Sequence, residues 1–139
     1  MLGDGKLTIN GKGNIIAENG YCVYAAGNSV VTLNGGNYYS PVSSVDARKN
    51  ATVTINGGNY HADVEPAKNN PEDSSKYGHD FTLNLRDKKG SYANEPAAII
   101  VKGGQFYKFN PSNNTADGPE TNYVAENYQS EQKGDYWVV

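Results

Sequence analysis

The chain has 139 residues, 37% of them hydrophobic and 11% aromatic, and its 15 acidic and 12 basic residues give a formal net charge of −3. This length allows one domain but not comfortably two, and without a concentrated basic patch a nucleic-acid partner is not expected. The single Cys22 excludes an intramolecular disulfide and a multi-cysteine metal site. No apolar run approaches the roughly 20 residues of a membrane-spanning helix, and residues 1–6 lack the basic and apolar segments of a signal peptide.

The most informative feature is an internal repeat. Its members lie at residues 7–11, 31–38, 53–60 and 99–106, with a weaker fifth at residues 81–85. Apart from the copy at residues 99–106, which begins Ile-Ile-Val, each begins with an apolar, Thr, apolar alternation, and in the clearest copies Asn-Gly-Gly follows. Alternation with period two predicts a strand with one buried face, and the glycine pair predicts a sharp bend after it. The 16 glycines and the many asparagines favour strands and tight turns over helices.

The repeat has the period of a solenoid. The second apolar position of each copy recurs at spacings of 24, 22, 28 and 18 residues, in the order Ile9, Leu33, Ile55, Leu83 and Val101. The sum of 92 over four intervals is 23 residues per coil, within the range of stacked repeat architectures. After each bend a large residue is expected to point inward and stack on its equivalents, namely Ile15, Tyr38, Tyr60 and Phe106.

A second strand in each coil follows from another alignment. Val23 corresponds to Val45 and Ala25 to Ala47, so residues 22–25 and 44–47 are predicted to pair one coil apart. The recurring Asn10, Asn34 and Asn56 are expected to hydrogen-bond to one another as a ladder along the coil corners.

The sequence therefore predicts an all-β, right-handed parallel β-helix of about four to five coils. Residues 1–106 would hold the repeats, and residues 107–139 would form a C-terminal capping segment that ends in a β-hairpin turning at Gly134. The first coil has no matching cap, so we expect an upstream domain or a neighbouring subunit against it. A leucine-rich repeat is not favoured, because this sequence has no Leu-rich return segment. The remaining alternative is an antiparallel sandwich, which would not explain why Asn-Gly-Gly recurs.

The repeat resembles the parallel β-helix stalk segments of phage structural proteins (head fibres and tail spikes) and of gut-bacterial surface proteins. The resemblance rests on Val-Thr-Ile-Asn-Gly-Gly-Asn-Tyr at residues 53–60, Gly-Gly-Gln-Phe at residues 103–106, and the ending at residues 134–139. It implies a homotrimer or a contact with neighbouring subunits, on a virion or cell surface outside the cell. It brings no catalytic residue, because no active-site motif of such families is matched.

The sequence leaves two functions open. The first is a non-catalytic structural or binding module that binds glycans or a host surface, with candidate contacts at Tyr24, Tyr39, Asp46, Arg48, His61, Asp63, Tyr77 and Tyr92, and with Tyr107 also expected on the outer surface. The second is a polysaccharide lyase or hydrolase, which would need paired carboxylates such as Asp46 with Asp63 or Glu65, although a solvated turn is the simpler interpretation of Asp46.

Neither a cofactor nor a metal is expected. His61 and His79, with their neighbouring aspartates, are too few and too widely separated for a metal centre. Both histidines belong to the polar segment at residues 61–80, which is predicted to be a long surface loop that borders any binding site.

Overall fold

A computed structural model describes residues 1–63, 81–86 and 94–139 of the chain. These residues are all-β. Their strands are β1 (Lys6–Ile9), β2 (Asn14–Ile16), β3 (Tyr21–Ala25), β4 (Val30–Leu33), β5 (Asn37–Ser40), β6 (Ser43–Arg48), β7 (Thr52–Ile55), β8 (Asn59–Ala62), β9 (Leu83–Arg86), β10 (Ala98–Val101), β11 (Gln105–Tyr107), β12 (Glu131–Lys133) and β13 (Tyr136–Val138).

The strands form three sheets, and none of the three closes on itself. The first sheet has the order β1-β4-β7-β10, the second β12-β13-β11-β8-β5-β2, and the third β3-β6-β9. Pairing is parallel among β1 to β11, whereas β13 pairs antiparallel with both β11 and β12. Each pass of the chain adds one strand to each sheet in turn, so sequence-equivalent strands become neighbours.

The registers follow the repeat closely. Leu7 pairs with Val31 and Val31 with Val53, while Val23 pairs with Val45 as the second alignment predicts. The weak fifth copy is the exception, since Leu83 pairs with Val45 in the third sheet. The β10 strand instead pairs directly with β7. The first sheet thus has four copies of the repeat. The prediction of Leu83 as an equivalent position was wrong, because its short apolar alternation fits a strand of the first sheet as well as one of the third.

The core lies between the three sheets and contains the inward half of each alternation. In β4 and β7 the inward residues Val31, Leu33, Val53 and Ile55 have no exposed surface, while the threonines between them are partly exposed. The largest buried side chains are the aromatic ones of the second sheet. The Tyr38 and Tyr60 rings stack at 4.7 Å and 1°, and Tyr60 and Phe106 stack at 5.1 Å and 11°. Such pairs contribute about 0.5–1.5 kcal/mol each beyond their burial.

The two glycines of each pair are required for different reasons. The second glycine of each pair adopts a left-handed backbone, with φ of 102° at Gly36 and 118° at Gly104, which a residue with a Cβ adopts only at a cost. The first glycine lies against the coil below it. A Cβ on Gly103 would lie 2.4 Å from the backbone oxygen of Asn56, so only glycine lets the two coils approach this closely.

The C-terminal segment covers the last strands of two sheets. The predicted hairpin is present, because β12 and β13 pair across a turn in which Gly134 has a φ of 63°. β13 then pairs with β11 and places Trp137 beside Phe106. In the first sheet, Val101 donates its backbone N–H to Tyr123 and accepts one from Ala125. The edges of β10 and β11 are therefore hydrogen-bonded, which removes the pairing hazard of exposed strand edges.

Candidate functional site

The outer face of the second sheet carries an exposed column of rings. Side chains alternate along β5, so that Tyr38 and Ser40 are buried while Tyr39 points outward with 42% of its surface exposed. Register then aligns Tyr39 with His61, and Tyr107 with Tyr136. We call Tyr39, His61, Tyr107 and Tyr136 the aromatic ladder.

The rings of the aromatic ladder are in contact along its whole length. Tyr39 and His61 lie 4.7 Å apart between ring centroids at 36°, and His61 and Tyr107 stack at 4.1 Å and 12°. Tyr107 meets Tyr136 edge to face at 5.4 Å, and the Lys108 ammonium lies 5.1 Å from the Tyr107 centroid. Because each ring is held by its neighbours, the ladder offers a preformed surface whose ordering cost is low on binding.

A carboxylate borders the ladder. Asp63, immediately after β8, accepts a hydrogen bond from the Tyr39 hydroxyl, and its other oxygen lies 2.9 Å from His61 Nε2. The Tyr39 hydrogen bond, followed by the one to His61, lowers the pKa of Asp63 below its usual 3.8. The same hydrogen bond raises the pKa of Tyr39. At neutral pH the site therefore presents an ionised Asp63 carboxylate hydrogen-bonded to the neutral phenol of Tyr39.

A column of carboxamides runs parallel to the ladder on the same face. Asn37 Nδ2 donates to Asn14 Oδ1 at 2.8 Å, and Asn59 Nδ2 donates to Asn37 Oδ1 at 2.6 Å. Asn37 and Asn59 precede the outward rings of their strands, Tyr39 and His61, by two positions, which is about 7 Å along a strand. The face therefore combines apolar rings with amide donors and acceptors, and this combination suits a ligand with both apolar faces and hydroxyl groups.

The predicted asparagine ladder is present at the neighbouring corner. Asn34 Nδ2 donates to Asn10 Oδ1 at 2.7 Å, and Asn56 Nδ2 donates to Asn34 Oδ1 at 2.8 Å. Sequence reasoning missed the second column, which follows the glycine pairs rather than preceding them. The repeated Asn-Gly-Gly-Asn of residues 34–37 and 56–59 was the signal for it.

The structure divides the predicted contact residues between two places. Tyr39, His61 and Asp63 meet on the outer face of the second sheet, where Tyr107 is also found. Tyr24, Asp46 and Arg48 belong to the third sheet. Tyr77 and Tyr92 lie outside the described residues, as do Glu65, His79 and most of the predicted loop.

Asp46 is a buried strand residue, so its interpretation as a solvated turn was wrong. Its side chain has no exposed surface, and it accepts hydrogen bonds from Arg48 Nε at 2.7 Å and Asn84 Nδ2 at 2.8 Å. Arg48 is 9% exposed, and its guanidinium lies 4.7 Å from the Tyr24 ring centroid. The register aligns Tyr24, Asp46 and Asn84 in one column, which explains why a charged pair is stable there: both charges are hydrogen-bonded.

Tyr136 was the ladder residue that sequence reasoning did not single out. Three pairs of consecutive ring residues, Tyr38-Tyr39, Tyr60-His61 and Phe106-Tyr107, place the first ring inward and the second outward. In Tyr136-Trp137 the order is reversed because β13 runs antiparallel to β11. The reversed pair continues both columns, and this doublet pattern was the available signal.

Comparisons with protein-family models, curated proteins and solved structures gave no match to this chain. Within the described ranges, no group of three or more potential metal ligands occurs, and no helix is long and apolar enough to cross a membrane.

Proposed function

We propose that this chain is a short right-handed parallel β-helix of four coils whose aromatic ladder binds neutral glycans without catalysis. The fold proposal is supported by three parallel sheets that take strands in turn from successive passes. Crossovers between parallel strands of one sheet are right-handed in nearly all proteins, which is the reason for the assigned hand.

The observation that carries the binding proposal is the continuous stack of Tyr39, His61, Tyr107 and Tyr136 on an exposed sheet face. A core role does not explain it, because the inward rings of the same strands already fill the core. The rings provide flat apolar surface, and the adjacent amide column provides hydrogen bonds to hydroxyl groups. The ionised Asp63 repels anionic sugars, so neutral glycans are the favoured class.

Isothermal titration calorimetry with linear hexasaccharides tests this proposal. A neutral β-1,4-linked hexamer is expected to bind, and a uronate hexamer is expected to bind more weakly. Tyr39→Ala and His61→Ala should each reduce the affinity about tenfold if one stacking contact of about 1.4 kcal/mol is lost. Tyr128→Ala is the matched control, because Tyr128 is 46% exposed and lies outside the ladder. Equal affinities of all three variants, or no binding of either hexamer, would contradict the proposal.

The biological setting is a separate part of the proposal. We place the module in a fibre or spike on a virion or cell surface, as a homotrimer or against neighbouring subunits. The support is the resemblance of the repeat to β-helix stalks. Light scattering after size exclusion, over a hundredfold range of concentration, should give about 45 kDa (three times 15.0 kDa) for a trimer. A concentration-independent mass of one chain would refute the trimer.

The alternative of a polysaccharide lyase or hydrolase gains no specific observation from the described residues. Its nearest candidate pair was Asp46 with Asp63 or Glu65, of which Glu65 lies outside the described residues. Asp46 is buried against Arg48 and Asn84 in the third sheet, whereas Asp63 follows β8 of the second sheet and is exposed. A carboxylate pair flanking one sugar bond is therefore not formed by these two residues.

A further inference from the structure

A groove runs between the two asparagine columns. It is shallow and open to solvent, with a volume of about 740 Å³. The floor is the backbone of successive glycine pairs, including Gly35 and Gly57, and Asn34 and Asn59 line it from the two columns. Because glycines are required here for close packing of the coils, the floor has no side chains and remains open along the stack.

The walls have unused hydrogen-bonding capacity. A carboxamide has two N–H donors and an oxygen with two acceptor positions. Asn34 uses one N–H toward Asn10 and accepts one bond from Asn56, and Asn59 uses one N–H toward Asn37. Among the described residues, the second N–H of both Asn34 and Asn59 has no protein acceptor. Asn37 differs, since its amide also approaches the Lys12 carbonyl at 3.4 Å.

The direction of the groove selects the type of occupant. It crosses the strands, so its walls repeat at the interstrand spacing of about 4.8 Å, which is comparable to one pyranose unit of a linear glycan. Backbone groups near the corner are already paired between coils, as in Asn37 N–H to Gly13 and Asn59 N–H to Gly36. An added peptide strand would need such groups free, whereas sugar hydroxyls can use the amides. Lys12 is the one charged side chain of this lining, which contains no Asp or Glu.

We propose that this groove binds one linear, uncharged glycan chain, aligned along the stack of coils beside the aromatic ladder, with which it shares the amide column of Asn37 and Asn59. This proposal rests on the proposed function for its class of ligand, which is a neutral glycan. It assigns Asn34 and Asn59 as the groups that bind hydroxyls from opposite walls.

The test is an NMR titration of the whole chain with the neutral β-1,4-linked hexamer. The backbone amides of the floor glycines report on the groove, and the His61 ring and Tyr39 amide report on the ladder. The floor signals are expected to shift in a saturable way, also in a Tyr39→Ala/His61→Ala double variant in which the ladder is disabled. Asn34→Ala and Asn59→Ala should each weaken the floor response about threefold to tenfold through loss of a hydrogen bond.

Asn28→Ala is the matched control, because Asn28 is exposed and also bonds between coils, donating to Asp4 Oδ1 at 2.8 Å. It should leave the floor response unchanged. Floor signals that stay still while the ladder signals move would overturn the groove proposal and leave the ladder intact. No response at either place would refute both the ladder proposal and the groove proposal. An equal response to glucose alone would refute the proposal that the groove binds a linear glycan chain. Equal weakening by all three asparagine variants would also overturn the assignment, because the effect would then reflect coil stability.

Discussion

The tightest coil contact predicts a specific cost for one methyl group. In Gly103→Ala the new Cβ would lie 2.4 Å from the Asn56 backbone oxygen, about 1.0 Å inside the 3.4 Å at which ordinary contact begins. Gly103 cannot move easily, because Lys102 N–H bonds to Ile55 at 2.7 Å and Gln105 N–H bonds to Gly58 at 2.9 Å. Relief must strain the corner or weaken one of these hydrogen bonds.

We expect Gly103→Ala to lower the free energy of unfolding by about 2–4 kcal/mol. Overpacking accounts for about 1–3 kcal/mol, and a weakened hydrogen bond for about 1 kcal/mol. Urea unfolding followed by circular dichroism measures this change. Gly13→Ala is the control, since its Cβ would meet nothing within 4 Å and its backbone is not left-handed; it should change stability by less than about 0.5 kcal/mol.

The distance from the new Cβ to the facing backbone oxygen also ranks the destabilising effect of Gly→Ala substitutions at other glycine pairs. Gly35→Ala, at 2.5 Å from the Gly11 oxygen, should be nearly as destabilising as Gly103→Ala, and Gly57→Ala, at 3.1 Å from the Asn34 oxygen, should be milder. A Gly103→Ala protein as stable as the wild type would refute the claim that close approach of the coils requires glycine. Equal losses for Gly103→Ala and Gly13→Ala would refute it as well, because the effect would then be a general one of replacing glycine.

Three further predictions concern charged and titrating groups. Burial raises the pKa of Tyr38 to about 12, above the value near 10 of an unfolded chain; its stabilising effect is complete below pH 10 and lost as the pH rises towards 12, which absorbance-monitored alkaline unfolding should show. Tyr39→Phe removes the hydrogen bond that chiefly lowers the pKa of Asp63, so a carboxyl NMR titration should show that pKa rising toward 3.8, and an unchanged value would contradict the site geometry. Asp46→Ala leaves the buried Arg48 without this partner and should cost about 3–5 kcal/mol in urea unfolding, whereas Asp63→Ala at the exposed face should cost less than about 1 kcal/mol, and equal costs would contradict the difference in burial.

Much of the site could be anticipated from sequence alone. Tyr39, His61 and Asp63 were selected as exposed candidates, and the period-two alternation with the coil period is enough to place Tyr39 and His61 side by side. Tyr136, which lies beyond the repeat, could not be placed in the same way. Whether Tyr136 continues the ladder depends on β13 running antiparallel to β11, a pairing between segments about 30 residues apart for which no repeat sets the register.

The repeat by itself determined the all-β class, the parallel pairing of equivalent strands, the inward column of Tyr38, Tyr60 and Phe106, and the first asparagine ladder. Each follows from local periodicity, because residues at the same position of successive repeats lie next to one another when the repeats stack. Tertiary structure decided the rest. It assigned Leu83 to the third sheet, and it buried Asp46 by surrounding it with Arg48 and Asn84. Such outcomes depend on which neighbours a side chain meets across the stack, and short-range alternation does not encode those neighbours.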